Sequence, residues 1–210
     1  MWSSEVTNMI ITGIWETLYM TLVSTLVGYV IGLPMGIILT VSDKDGIKPN
    51  AVLYKILDVI ANIVRSVPFI ILLVLLIPFT RLVVGKSYGS TATIVPLVIA
   101  AAPYIARMVE SSLKEVDAGV IEAARSMGAS NFTIITKVML VEARTSLLVG
   151  ATITLGTILG YSAMSGAVGG GGLGAIAIRY GYTRWQTDIM IVTVILLIIM
   201  DRPSFWGQRA

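Results

Sequence analysis

The sequence contains no cysteine and no histidine, and few of its residues carry charge. Among its 210 residues, 13% are Asp, Glu, Lys or Arg, whereas soluble domains contain roughly 25%. Without cysteine the chain has no disulfide or thiolate chemistry. Without histidine it lacks the commonest general base and metal ligand. These absences argue against an enzyme active site.

Apolar residues dominate instead, at 56% of the chain, and the mean hydropathy is +0.88. A helix that crosses a bilayer needs about 20 apolar residues, and the stretches free of Asp, Glu, Lys and Arg are candidates. They are Thr17 to Ser42, Ser66 to Thr80, Ser87 to Ala106, Thr145 to Ile178 and Ile189 to Met200. The second is short and must recruit residues 59–65, which would place Arg65 at an interface, snorkelling. The sequence predicts an all-α, polytopic membrane protein with five transmembrane helices.

The basic residues are unevenly divided between the two sides that five spans define. One side has Lys44, Lys48, Lys55, Arg107, Lys114, Arg125, Lys137, Arg144, Arg202 and Arg209, and the other has Arg81, Lys86, Arg179 and Arg184. The positive-inside rule then places the N-terminus outside and the C-terminus in the cytoplasm. Because the first basic residue is Lys44, we expect no cleaved signal peptide, and the first span serves as the targeting signal.

The last uncharged run is too short to cross a membrane. Ile189 to Met200 extends about 18 Å as a helix, and Pro203 and polar residues follow. Either the helix begins before Asp188 and continues past Asp201, or the native tail is replaced or truncated. The composition after Met200 favours a replaced or truncated tail.

Small residues recur at helical spacing in two spans. Gly28, Gly32 and Gly36 form overlapping GxxxG patterns, and Gly156 and Gly160 form another that Ser162 and Gly166 extend. Such stripes let helices pack closely within one subunit, and the alternative for the second stripe is a dimer interface or pore. Proline residues at 34, 68, 78, 96 and 103 predict kinks. Apart from Arg65 the spans contain no charge that an ion-driven carrier would use.

Residues 122–140, EAARSMGASNFTIITKVML, form a charged segment of helical period between two apolar runs. Val120, Ile121, Ala124 and Met127 share one helical face, and Gly128 is placed to end that helix. Ser130 can cap a second helix that contains Phe132, Ile135 and Met139. Two short cytoplasmic helices of this kind either lie on the lipid surface or bind a partner.

The segment resembles the EAA loop of ABC-importer permeases in Glu122, Ala123, Ala124 and Gly128. In that family the loop docks into a groove of the ATPase subunit. The stretches RSVPFIIL (65–72), GYSAMSGAVGGGGLG (160–174) and RYGYTRWQTD (179–188) are similar to those of methionine-type permeases. Two departures are Val141, where the family usually has proline, and the short last span.

The resemblance implies a type I ABC-importer permease fold, with a type-1 transmembrane domain over 13–204 and a coupling loop at about 115–143. It implies a homodimer that works with two ATP-binding subunits and an extracytoplasmic substrate-binding lipoprotein, in the lipid bilayer and without nucleic acid. ATP and Mg belong to the partner, because this chain has no GxxxxGK[ST] phosphate loop. The glycines at 169–174 are expected to form a flexible external loop rather than a nucleotide site.

The expected function is methionine import by alternating access, and the alternative is import of another amino acid or small polar solute. The sequence lacks the mid-span charges or polar pore ring that a secondary carrier or channel would need. It also lacks the histidine expected in a lipid-biosynthetic enzyme. Tyr161, Ser162 and Met164 are the candidate translocation path or gate, with Met164 closing the pore across the dimer axis. Arg65 and Pro68 are assigned structural roles: Pro68 kinks the second span, and Arg65 pairs with a headgroup or an acidic residue near the cytoplasmic face.

Overall fold

The computed structural model describes residues 4–207, and within this range the chain forms helices and no strands. The α-helices are α1 Ser4–Ser42, α2 Ala51–Ser66, α3 Phe69–Leu75, α4 Ile77–Val84, α5 Ser90–Lys114, α6 Ala118–Ser126, α7 Asn131–Thr133, α8 Leu140–Glu142, α9 Arg144–Ser165, α10 Gly172–Ile176 and α11 Thr187–Gly207. π-helical turns at Ile134–Met139 and Ala177–Tyr182 and a 3₁₀ turn at Gly166–Val168 complete the fold. The predicted all-α class is confirmed.

Helix α1 has 39 residues and packs along α5 in the most extensive helix contact of the chain. Its glycine stripe allows this approach. A Cβ atom on Gly32 would lie 2.6 Å from the Ala102 carbonyl oxygen, and one on Gly36 would lie 2.6 Å from the Ala106 carbonyl oxygen. The first GxxxG stripe therefore packs within one subunit, as predicted.

The second predicted span is not a continuous helix from residue 59 to residue 80. Helices α2 and α3 meet at an angle of 102°, and the break lies at Val67 and Pro68. Val67 is extended, as expected before proline, whose ring disfavours the helical conformation of the preceding residue. The chain becomes helical again at Phe69 and continues through α3 and α4. The predicted kink at Pro68 is confirmed.

The glycine cluster after α9 is a packed turn and not the flexible external loop that the sequence predicted. Gly169 and Gly171 have positive φ, which glycine adopts without strain. The backbone N–H of Gly172 donates to Glu16 Oε2 at 2.7 Å, and that of Leu173 donates to Thr17 Oγ1 at 2.9 Å. A Cβ atom on Gly174 would overlap the Ala163 carbonyl oxygen. These glycines let α10 pack against both α1 and α9.

Helix α11 begins at Thr187, before Asp188, and continues past Asp201 to Gly207. The helix therefore has the extent given by the first of the two alternatives that the sequence left open, and a replaced or truncated tail stays a prediction. Pro203 removes one backbone donor, and the helix continues to Gly207 despite this loss. With 21 residues, α11 extends about 30 Å. Arg209 lies outside the described residues.

By length and composition, three stretches within residues 4–207 can cross a membrane: α1, α5 and Arg144–Tyr182. The bent pair α2 and α3 makes a fourth if it counts as one span. Contacts between elements join the helices at both of their ends. Lys114 pairs with Asp43 at one end, and Gly89 N–H donates to the Gly169 carbonyl at the other.

Candidate functional site

The predicted coupling segment folds as two short helices joined by a glycine turn. The Asp117 carboxylate accepts from Gly119 N–H at 2.7 Å and begins α6. Gly128 has a φ of 81°, and the N–H of Ala129 donates to the Ala124 carbonyl, a typical left-handed helix end. Ser130 Oγ accepts from Thr133 N–H at 3.2 Å. The predicted end at Gly128 and the predicted cap at Ser130 are both confirmed.

The apolar face predicted for this segment is split between core and surface. Ala124 is buried and Ile121 is half-buried against the core. Met127, in contrast, is 82% exposed and Phe132 is 76% exposed. The reason is the glycine turn, which ends the helix at Ser126 and takes Met127 off its buried face. The large apolar side chains of Met127 and Phe132 are therefore exposed to solvent on either side of the glycine turn.

The remaining EAA residues surround this turn. Glu122 and Ala123 are exposed, and Gly128 is exposed in open space, because a Cβ atom added to it would meet no other atom within 4 Å. Arg125 donates from Nη2 to the Ile47 carbonyl at 3.0 Å, which ties α6 to the loop between α1 and α2. A cleft of about 480 Å³ lies between this loop, the end of α5 and α6, and Glu122 and Arg125 line it.

An ion pair holds the end of α1 beside the end of α5. Lys114 Nζ lies 2.6 Å from Asp43 Oδ2. The hydrogen bond from Lys114 lowers the pKa of the Asp43 carboxyl below its ordinary value. Because the folded pKa is lowered, this pair stabilises the fold at neutral and mildly acidic pH, and its contribution is lost as the pH falls through that lowered value.

Helices α2 and α5 face each other through a row of polar side chains that the sequence analysis missed. We call this row the α2–α5 polar seam, and its members are Tyr54, Asp58, Asn62 and Arg65 from α2 and Tyr104, Arg107, Glu110 and Lys114 from α5. Arg107 forms an ion pair with Asp58 and another with Glu110, and it donates to Asn62 Oδ1 at 3.0 Å. The signal was present in the sequence, since both sets recur every three or four residues, the spacing of one helical face.

Arg65 lies at the end of this seam farthest from Lys114. Its guanidinium carbon is 6.0 Å from the centroid of the Tyr104 ring, within the range of a cation–π contact. Among residues 4–207 no carboxylate lies within ion-pair distance of Arg65, so the acidic partner that the sequence suggested is absent there.

The three residues predicted to form the gate lie in the last turn of α9 but differ in environment. Tyr161 stacks on Phe69 with ring centroids 4.5 Å apart. Ser162 is buried and donates to the Leu159 carbonyl within its own helix. Met164 is 52% exposed. The structure thus leaves Met164 accessible to a partner, and it brings Tyr161 against α3.

The chain is similar in sequence to known membrane transport proteins. Residues 28–209 match the family described as "Binding-protein-dependent transport system inner membrane component". A probable D-methionine transport system permease protein MetI of Vibrio cholerae is 49% identical over 95% of this chain and 88% of its own length. The D-methionine transport system permease protein MetI of Escherichia coli K12 is 53% identical over 75% of this chain and 73% of its own length.

A solved structure of the MetNI methionine ABC transporter in an inward-facing conformation contains a chain with the same fold. The TM-score is 0.96 at 51% identity, over 99% of this chain and 97% of that one. Within residues 4–207 no group of three or more Asp or Glu side chains is placed to hold a metal ion. The family match covers most of the sequence, and the chain belongs to the binding-protein-dependent transport system inner membrane components.

Proposed function

We propose that this chain is the permease subunit of an ATP-driven importer that moves methionine across the cytoplasmic membrane by alternating access. The observation that supports this most directly is the coupling segment, where Met127 and Phe132 expose large apolar surfaces beside a rigid glycine turn. The names of the relatives supply the substrate. Another amino acid or a small polar solute is the alternative.

The proposed assembly contains two copies of this chain, two ATP-binding subunits and an extracytoplasmic substrate-binding lipoprotein, with no nucleic acid. ATP and Mg bind to the ATPase subunits. The type-1 transmembrane domain covers residues 13–204 and has five spans: α1, the broken path α2 to α4, α5, α9 and α11. The distribution of basic residues supports an outside N-terminus and a cytoplasmic C-terminus, which puts the coupling loop at about 115–143 next to the ATPase.

Uptake of labelled methionine tests this function. The chain is reconstituted into vesicles with its ATPase subunit and binding protein, and ATP is supplied to the ATPase side. We expect ATP-dependent accumulation of methionine that unlabelled methionine suppresses. Accumulation of a different amino acid would select the alternative substrate, and no accumulation of any amino acid would contradict the proposal.

We propose that Glu122, Ala123, Ala124 and Gly128 position the contact with the ATPase and that Phe132 anchors it. Phe132→Asp is expected to weaken association with the ATPase by about 2 kcal/mol or more, since buried aromatic anchors dominate interface energies. The measurement is the amount of ATPase that co-purifies with the permease. Tyr88→Ser, which changes an exposed aromatic residue at the opposite end of the molecule, is the matched control and should retain the ATPase.

We propose that Tyr161, Ser162 and Met164 form the outer end of the translocation path and that Met164 is the gate. In this cysteine-free chain, the cysteine of Met164→Cys is expected to crosslink to the same cysteine of the second copy in the nucleotide-free complex. Its rate of reaction with a thiol reagent is expected to change in the ATP-trapped complex. Leu26→Cys, exposed on α1, is expected to do neither. Absence of both the crosslink and the change at position 164 would exclude Met164 as the gate.

A further inference from the structure

Helix α2 has two chemically different faces, and both are partly exposed. Its exposed apolar residues are Val52, Ile56, Val59, Ile60 and Ile63. At 100° per residue these lie opposite Tyr54, Asp58, Asn62 and Arg65, the α2 members of the polar seam. The apolar face suits lipid. Asn62 and Arg65 remain exposed on the polar face, and this face requires water or a polar partner.

The register of the seam shows where Arg65 lies along α5. Tyr54 OH donates to Glu110 Oε1 near the end of α5, and Arg65 lies over Tyr104 farther along the same helix. Tyr104 is ten residues from Lys114 and 14 from Ser90, or about 15 Å and 21 Å along the helix axis. The charge-free run of α5 ends at Ala106, so Arg65 lies at the border between the charged end of α5 and its apolar part.

The other cations of the seam already have acidic partners. Arg107 pairs with Asp58 and Glu110, and Lys114 pairs with Asp43 and Glu110. Arg65 has the Tyr104 ring beneath it and no carboxylate beside it within the described part of the chain. An exposed guanidinium at this border that has no carboxylate partner is available to an anionic ligand, and it needs water or such a ligand because hydrocarbon does not solvate an arginine.

We propose that Arg65 lines the substrate path and binds the carboxylate of the amino acid in transit, with Tyr104 holding the guanidinium in place. This rests on the proposed import of methionine, whose carboxylate is the one anionic group on the molecule. A guanidinium stacked on a ring keeps its N–H donors at its edge, and these match a carboxylate in bidentate geometry. The contact holds the substrate by the part that all amino acids share, and the α2–α5 polar seam fixes its position in the membrane.

Transport by the reconstituted complex tests the contact. Loss of a hydrogen bond to a charged group predicts that Arg65→Gln lowers methionine uptake about tenfold or more. ATPase activity stimulated by the binding protein is expected to persist, so the methionine moved per ATP falls. Arg65→Lys keeps the positive charge but lacks the planar guanidinium that binds a carboxylate in bidentate geometry, and it should retain part of the uptake. Lys55→Gln removes a cation from the same helix outside the seam and should transport normally.

Water access at this position is tested separately, without relying on transport by the Arg65→Gln variant. Arg65→Cys in the complex is expected to react with a membrane-impermeant sulfonate thiol reagent and to be protected by methionine during turnover, whereas Val59→Cys on the apolar face does not react. Equal inertness of the two variants would overturn the proposal, as would wild-type uptake by Arg65→Gln. If wild-type vesicles take up another amino acid but no methionine, the proposed substrate fails, and the same variants are then measured with that amino acid.

Discussion

Replacing Gly128 with valine is expected to abolish substrate-stimulated ATP hydrolysis and transport in the assembled complex, with the membrane helices still folded. Gly128 has a φ of 81°, a conformation that costs other residues roughly 1–2 kcal/mol and is least accessible to β-branched ones. A Cβ atom there meets nothing within 4 Å, so the effect arises from the backbone alone. Relief of the strain changes the turn and misdirects Phe132 relative to α6.

The Gly128→Val measurement pairs stimulated ATPase activity with the thermal midpoint of the detergent-solubilised complex. Gly128→Asn is the matched control, because asparagine tolerates the left-handed conformation, and it should keep most of the coupling. Wild-type stimulation in Gly128→Val would contradict a coupling role. A fall in the thermal midpoint that accounts for the whole loss of activity would leave Gly128 as a helix terminator and nothing more.

The coupling segment was the part of the site most accessible from sequence, because the interactions that shape it are local. The end of α6 at Gly128 and the cap at Ser130 each involve residues within five positions of one another. The sequence did not show that Met127 leaves the buried face, since that depends on the direction of the chain after the turn. Local chemistry determined where the helices end, and tertiary packing decided which side chains remain exposed.

The glycine turn after α9 was misread for the opposite reason. Gly172 and Leu173 bind Glu16 and Thr17, which are 156 residues away in the chain. A run of glycines by itself is consistent with a flexible loop. The partners that make it rigid lie on another helix, and their register against α10 cannot be read from spacing. The path of the second predicted span also depends on contacts with distant residues. Pro68 predicts a bend after α2, but the size of that bend, 102°, depends on packing against α5 and α9.

Glu110 shows the same dependence on partners from distant parts of the chain. It is 4% exposed, and its two oxygens serve three donors. Oε1 accepts from Lys114 Nζ at 2.8 Å and from Tyr54 OH at 3.2 Å, and Oε2 accepts from Arg107 Nη1 at 2.7 Å. This carboxylate therefore joins α2 to α5, and through Lys114 and Asp43 it also reaches the end of α1. It is the central anion of the α2–α5 polar seam.

Glu110→Gln is accordingly expected to destabilise the chain by about 3–5 kcal/mol, the cost of removing one partner from a buried ion pair. The amide removes the negative charge, and its NH₂ group faces cationic donors. The thermal midpoint in detergent should fall by about 10 °C. Glu115→Gln, an exposed position just beyond α5, is the matched control, because surface substitutions usually change stability by no more than about 0.5 kcal/mol. Equal midpoints for the two variants would mean that Glu110 contributes no net stability, and that the seam is held by Asp58 and Arg107 without it.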